Sequence, residues 1–441
     1  MRKVVKFGGS SLASAQQFEK VAEIVHAEAS RRYVVPSAPG KRFRKDTKVT
    51  DMLYGCYALA EQDEDFSENL HQIEERYQEI IDGLSLTLSL ADEFAVIEKN
   101  FRAHVGKDYA ASRGEYLNGI VMAAYLGYEF VDAAQVVFFK ENGEFDAVKT
   151  NEVLGERLQN MENAVVPGFY GCDTHGNVKT LSRGGSDITG AIVARAVNAT
   201  LYENWTDVSG ILMADPRIVE NPEHIDRLTY SELRELSYIG AQVLHERAVF
   251  PVREKNIPLN IRNTNEPDHP GTMIMRDIDD STEQNRSFIT GIAGRKGYTV
   301  ITLSKTGMSS TPGVLRRILE IFEKANVNVE YVPSGIDSLS LVVSSASVAD
   351  CLYSLLGELE RSIKPDHIKT ESDLAVVAAV GRRMAFRPGI SGKIFAALGE
   401  NGVNIRMITQ GPEELNIIVG VEEKDFEQAI RVLYSSFATI R

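Results

Sequence analysis

Beyond residue 290 the chain repeats itself, and this repeat constrains the fold more than any other feature. Pro312-Gly313-Val314 recurs as Pro388-Gly389-Ile390, and Val327-Asn328-Val329 as Val403-Asn404-Ile405. Gly335 matches Gly411 and Leu339 matches Leu415, all at one constant offset of 76 residues. Chance Pro-Gly pairs would not keep register over such a span. Each copy reads as strand, Pro-Gly turn, amphipathic helix, Val-Asn-Val/Ile strand, turn and strand. Two such βαββ units can pair through their sheets, and small ligands often sit where units of this kind meet.

Residues 1 to about 265 follow a different pattern. Short β-branched runs alternate with helical segments, which predicts an α/β domain with a mainly parallel sheet flanked by helices. Strands are expected at 4–7, 33–36, 129–132, 199–204 and 258–261, and helices at 16–30 and 187–198. The Glu-, Gln- and Leu-rich stretch 61–84 reads as a surface helix or a lid, its acidic cluster a solvated face. A polar, Pro/Gly/Asp-rich stretch at 263–290 marks a domain boundary. The expected division is therefore 1–280, 291–363 and 370–441.

The chain opens MRKVVKFGGSS, a β-branched run that carries Lys6, breaks at Gly8-Gly9-Ser10-Ser11 and enters an apolar-periodic segment. Glycines let a backbone approach a ligand closely, and the N–H groups of a helix start suit an anion. Lys6 adds a point charge suited to phosphate. On their own these residues equally fit a strand–helix turn that needs glycine only for its backbone angles.

Bulk properties narrow the function. At 441 residues the chain exceeds one ordinary core. Its 43% hydrophobic and 25% charged content is that of a soluble globular protein. A net charge of −14 leaves no basic surplus for nucleic acid or an anionic membrane. Cys56, Cys172 and Cys351 lie far apart with no Cys-x-x-Cys, which fits a reducing cytoplasm and offers no zinc site. The apolar N-terminal stretch is too short for a signal peptide, and no window suits a membrane span.

Eight motifs in order carry a family resemblance. They are Lys6-Phe7-Gly8-Gly9-Ser10-Ser11, Ser37-Ala38-Pro39-Gly40, Thr50-Asp51, Gly114-Glu115 and Arg183-Gly184-Gly185-Ser186-Asp187. Then follow Trp205-Thr206-Asp207-Val208-x-Gly210, Asp215-Pro216-Arg217 and Gly240-Ala241-x-Val243-Leu244-His245. Over essentially its whole length the chain resembles the monofunctional aspartate kinases: an amino-acid-kinase-fold catalytic domain followed by two ferredoxin-like ACT domains. The resemblance implies transfer of the ATP γ-phosphoryl group to the β-carboxylate of L-aspartate, giving 4-phospho-L-aspartate and ADP. That is the first step toward lysine, threonine and methionine.

It also implies roles. Lys6 and Asp187 are the expected catalytic residues, with Lys6 on the β/γ-phosphates and Asp187 placing the lysine and the metal-phosphate group. Ser37, Thr50, Glu115, Arg183, Gly184, Gly185 and Ser186 are expected to bind aspartate. Arg183 would grip the α-carboxylate and Glu115 the α-ammonium, while Ser186 could also cap the following helix. Gly8, Gly9 and Ser10 would donate to the phosphates, and Thr206, Asp207, Leu212, Arg217, Gln242 and Val243 would complete the ATP site. Mg²⁺ is expected mainly on the ATP phosphates. The basic loop 41–48 could be a solvated loop or close over ATP. Gln242 stands where many relatives have lysine, and Glu246 where proline is usual.

ACT pairs in such enzymes bind an end-product amino acid at a dimer interface. The positions matching an effector site are Met308, Asn328, Val329, Glu330 and Ser334, with lysine or threonine as the expected effector. Asn404 and Gln410 are the counterparts in the second copy. A homodimer through the ACT domains, or a tetramer, is expected, and the length leaves no room for a fused homoserine dehydrogenase. Two alternatives stand beside this reading: another amino acid kinase, and a non-catalytic amino-acid sensor suggested by Gln242.

Overall fold

A computed structural model describes the chain except residues 183, 242–243, 245, 279–288, 383, 385–387, 411–414 and 439–441. It divides into two compact units. The first comprises Met1–Ile211, Asp226–Tyr230 and Val243–Ile278, and the second Leu212–Ile225, Ser231–Gln242 and Asp279–Arg441.

In the first unit the chain runs β1 (Lys3–Phe7), α1 (Ala15–His26), β2 (Arg31–Pro36), α2 (Val49–Ala60), α3 (Ser67–Gly83), α4 (Ala91–Arg102) and α5 (Lys107–Leu126). Then come β3 (Glu129–Phe130), α6 (Ala147–Gln159), β4 (Ala164–Val165), β5 (Tyr170–Cys172), β6 (Val178–Thr180), α7 (Gly185–Ala196) and β7 (Leu201–Thr206). In chain order β8 (Ile211–Leu212), β9 (His224–Ile225), β10 (Arg227–Thr229), α8 (Tyr230–Ile239), α9 (Glu246–Glu254), β11 (Leu259–Asn263) and β12 (Thr272–Met275) follow; of these, Leu212 of β8, all of β9 and α8 from Ser231 onward belong to the second unit. Eight strands form one sheet in the order β10-β12-β11-β7-β1-β2-β4-β3, parallel except for the β11·β12 pair.

Because both faces of this sheet are covered, β1 buries Val4, Val5 and Phe7 completely. One core gathers Val5, Phe7 and Trp205 with the apolar faces of α1 to α5. The other face carries α7, where Gly190 lets the Tyr202 ring approach so closely that a Cβ would sit 2.3 Å from its hydroxyl. The acid-rich helix α3 buries Leu70, Ile73, Arg76, Tyr77, Ile80 and Ile81, so it is a core helix with a solvated face and not a lid. The boundary stretch also differs from expectation, since Thr272–Met275 forms a sheet strand inside it.

In the second unit the repeat is explicit. The first copy is β13 (Gly291–Ser304), α10 (Val314–Lys324), β14 (Val329–Tyr331), β15 (Ser338–Ser344), the single turn α11 (Ser345–Val348) and α12 (Leu352–Ile363). The second is β16 (His367–Val380), α13 (Ile390–Glu400), β17 (Met407–Thr409), β18 (Asn416–Glu422) and α14 (Phe426–Ala438). Each copy thus closes with a helix that the βαββ reading left out. The offset survives folding: β16 and α13 begin and end 76 residues after β13 and α10. The long strands β13 and β16 pair antiparallel, which fuses both copies into one six-stranded sheet, β14-β15-β13-β16-β18-β17. Each copy keeps its own core, Ile301, Leu341 and Phe322 in the first and Val377, Val419 and Leu398 in the second.

Candidate active site

In a parallel sheet all strands end on one edge, where the fold places ligands. Here Gly8 to Ser10 follow β1, Ser37 to Gly40 follow β2, Asp207 follows β7 and Thr264 follows β11. Hydrogen bonds tie these turns together: Gly8 N–H to the Trp205 carbonyl (2.9 Å), Gly40 N–H to Gly9 (2.7 Å) and Thr264 N–H to Thr206 (2.9 Å). The Ser11 and Thr264 hydroxyls lie 2.8 Å apart. The Gly8 N–H is therefore spent on the strand edge, contrary to its expected role as a phosphate donor. Gly9 and Ser10 open a 3-10 turn instead, and the leading N–H groups of such a turn have no acceptor within it.

Strand alternation sorts the side chains. Val5 and Phe7 point into the core, so Lys6 points to the other face, toward α7. Its Nζ lies 2.5 Å from Asp187 Oδ1, with the lysine only 7% exposed. Asn204, paired in register opposite Lys6, accepts from Nζ at 3.4 Å and donates to Asp187 Oδ1 at 3.0 Å. Asn204 was not among the expected residues. Its signal was available as a polar residue within an otherwise strand-like run, but only the β1·β7 register gives it meaning.

The turn before α7 behaves otherwise than expected. Gly184, in the left-handed region at φ 78°, is the N-cap, and no side chain caps the helix. Ser186 lies inside the first turn against Gly168, where a Cβ on that glycine would meet Ser186 Cβ at 2.7 Å. Gly185 likewise lets the Phe169 ring approach. Arg183 lies outside the described residues, as do Gln242 and Val243.

On the opposite side of the sheet edge, Glu115 of α5 is buried. Burial pushes its carboxyl up to about 8, although the Ala38 N–H and the Lys6 and Arg113 charges oppose the shift. Its Oε2 is enclosed and lacks a hydrogen-bond partner. Asn118, one turn along the helix, donates to the Ser37 carbonyl at 2.6 Å, and sequence reading missed it too. Thr50 stands in the first turn of α2, half-buried. Thr206 donates to the exposed Asp207 carboxylate at 3.2 Å. Leu212 and Arg217 belong to the second unit, where Arg217 grips Asp215 through Nε (3.0 Å) and Nη2 (2.6 Å).

The architecture agrees with the comparisons. Residues 1–263 match the amino acid kinase family and residues 377–437 an ACT domain. Aspartokinase 3 of Bacillus subtilis (strain 168) is 38% identical over 456 residues, covering 99% of this chain and 98% of its own. The chain belongs to the aspartokinase family. As an aspartokinase it is an ATP-dependent aspartate kinase. Its fold matches that of Clostridium acetobutylicum aspartate kinase at a TM-score of 0.90 and 49% identity, over 99% of both chains. Escherichia coli aspartokinase III also matches over 99% of both chains, in complex with aspartate and ADP (R-state; 26%, TM-score 0.78) and with lysine and aspartate (T-state; 27%, 0.75). No helix among the described residues is long and apolar enough to cross a membrane.

Proposed function

We propose that Lys6, Asp187 and Asn204 form the phosphoryl-transfer centre of this aspartokinase, with Glu115 as the ammonium-binding residue of the aspartate pocket. The observation that carries this reading is the Lys6–Asp187–Asn204 cluster, a buried cation held by two partners at the strand edge between two glycine turns. The nucleophile, a β-carboxylate, is already ionised at neutral pH, so no general base is needed. A carboxylate oxygen attacks the γ-phosphorus, the new O–P bond forms, and the bond to the β,γ-bridging oxygen breaks to release ADP. The barrier lies in holding two anions in line and neutralising the transferring group. Lys6 supplies that charge, Asp187 and Asn204 fix its ammonium, and the Gly9–Ser10 turn offers backbone donors.

On the acceptor side, Glu115 would take the α-ammonium, and Arg183 the α-carboxylate, with Ser37, Thr50 and the Gly184–Ser186 turn lining the pocket. Thr206, Asp207, Leu212, Arg217, Gln242 and Val243 form the nucleotide side of this reading. Among the described residues no three-carboxylate cluster suits a metal. Asp187 is a single carboxylate of the oxygen type that Mg²⁺ prefers, which fits a cation held mainly by ATP phosphates and water. Bound there, Mg²⁺ would supply charge neutralisation on the phosphates.

Residues 1–280 are the catalytic domain in this reading, and 291–363 and 370–441 the two ACT domains. Lysine, or threonine, is the proposed effector at Met308, Asn328, Val329, Glu330 and Ser334, with a homodimer through the ACT sheet. In support, the Glu330 carboxylate already receives the Asn328 amide at 3.3 Å and the Tyr238 hydroxyl, so it sits among donors. The sheet face opposite the ACT helices holds a groove of about 320 Å³ between the copies, an open surface suited to assembly. The acidic charge and isolated cysteines support a cytoplasmic setting.

The test is ADP release from Mg-ATP with L-aspartate, trapping the acyl phosphate with hydroxylamine. Aspartate-dependent turnover is expected, and Lys6→Ala should lower it by about a hundredfold or more. A wild-type chain that releases ADP with glutamate but not aspartate would overturn the reading.

A further inference from the structure

Helix α3 contributes no residue to the proposed site, yet it holds both substrate-side segments from behind. Arg76 is 4% exposed on a helix whose other charged residues mostly face water. Its Nη1 donates to the Thr47 carbonyl at 2.7 Å and its Nη2 to the Gly40 carbonyl. Nη2 also lies 3.2 Å from Asp46 Oδ2, while Nε is enclosed without a partner. Three acceptors from one segment thus converge on a single guanidinium. That planar fork presents its donors in fixed, divergent directions, which a lysine ammonium on its flexible stem does not.

The exposed part of this segment has a further side-chain tie to α3, Arg42 Nη1 to Glu79 Oε2 at 3.0 Å. Lys41, Arg42, Phe43, Arg44 and Lys45 are exposed, and Asp46 is shared with Arg42 Nε at 3.0 Å. Gly40 is in turn pressed onto the phosphate turn. It donates to Gly9 at 2.7 Å, and a Cβ there would lie 2.5 Å from the Gly9 carbonyl carbon. Tyr77, the next residue of α3, donates to the Gly114 carbonyl at 2.7 Å, directly before Glu115. Gly114 packs on the same turn, since its Cβ would meet Ala38 Cβ at 2.7 Å.

We infer that Arg76 is a positioning residue for phosphoryl transfer: through Gly40 and Thr47 it sets the 37–50 segment, and through Gly40 the Gly9 turn, in the register the two substrates require. This rests on the proposed assignment of Ser37, Thr50 and Glu115 to aspartate and of the Gly9 turn to phosphate. Arg76 touches neither substrate. Its effect falls mainly on aspartate, because the aspartate-side segment is bonded directly and the phosphate turn only through the Gly40–Gly9 contact.

The experiment compares wild type, Arg76→Gln, Arg76→Lys and Asp46→Asn in full-length protein. Initial rates of ADP release are measured with aspartate and ATP varied separately, well below each variant's melting temperature. Displacing reacting groups by about an ångström costs on the order of a hundredfold. Arg76→Gln should therefore lower kcat/KM for aspartate by about ten- to a hundredfold, and that for ATP by less. Arg76→Lys keeps the charge but loses the fork, and Asp46→Asn loosens the loop while leaving both carbonyl bonds, so each should give a smaller loss of the same kind. A melting temperature that falls while kcat/KM for aspartate stays within about twofold of wild type would overturn the proposal, leaving Arg76 a stability residue. If Arg76→Gln does not fold, Arg76→Lys and Asp46→Asn decide it by the same criterion. Absence of aspartate-dependent turnover in the wild type would overturn the functional reading and this inference with it.

Discussion

Lys6 and Glu115 show how one turn or one helix face sets a residue's chemistry. Lys6 is directed toward α7 by strand alternation alone, and Asn204 joins it because β1 and β7 pair in that register. Replacing Asn204 by leucine removes a donor to Asp187 and an acceptor for Lys6; kcat should fall by about tenfold with the fold retained by circular dichroism. Glu115 makes a pH prediction. Its folded value, about 8, lies above the ordinary 4.5, so the carboxyl is mostly protonated at pH 7 before aspartate binds. An ammonium needs the carboxylate, so aspartate binding should release a proton. Affinity should rise about tenfold from pH 7 to the plateau above 8. Calorimetry in two buffers of different ionisation enthalpy reads that proton directly, and Glu115→Gln should abolish the pH dependence. Stability runs the opposite way with pH: the folded state holds a proton the unfolded state lacks between about 4.5 and 8. This contribution is therefore present at the low end and lost as pH rises through the folded value.

Among elements, the contact between two turns matters more than either turn. Gly9 and Gly40 meet backbone to backbone, and an added Cβ on Gly40 would lie within 2.7 Å of three Gly9–Ser10 backbone atoms. Backbone cannot swing aside as a flexible side chain can. Gly40→Ala should therefore push the β1 and β2 turns apart and raise KM for both substrates, with a loss of about 1–3 kcal/mol in stability by urea unfolding. Gly55, which has open space around its Cβ position, is the control: Gly55→Ala in α2 should be neutral or stabilising. Both glycines lie next to strand or helix signals in sequence. Nothing local distinguishes the one that touches another backbone from the one that faces water.

At the scale of the whole molecule, the regulatory unit is one sheet built from two copies, not two beads on a string. Side chains one turn apart on α8 reach into that sheet: Glu232 to Arg382 at 3.1 Å, Glu235 to Asn416 and Tyr238 to Glu330. An effector ammonium at Glu330 would meet a carboxylate that already accepts the Tyr238 hydroxyl. Glu330→Gln should reduce lysine's effect on melting temperature and activity by at least about tenfold in concentration. Tyr238→Phe removes a competing donor and should tighten lysine binding by about two- to tenfold. Unchanged lysine titrations in both variants would remove Glu330 from the effector site.

Much of this was legible along the chain. The repeat, the parallel α/β pattern and the strand–glycine start of β1 are local signals: periodicity, β-branching and turn residues act within a few positions of one another. Lys6 and Asp187, the proposed catalytic pair, each lie in a motif visible along the chain, and the structure brings their side chains together. Tertiary structure alone decided which glutamate became buried, which asparagine faced Lys6 and which arginine of an acid-rich helix turned inward. It also put Gly184 rather than Ser186 at the cap of α7, because the left-handed backbone there suits glycine. Burial and register depend on partners far away in sequence: Asn204 lies 198 residues from Lys6, and Arg76 lies 36 from Gly40. Local propensity carries no information on such partners, since strand pairing and helix packing are settled only when the whole sheet assembles.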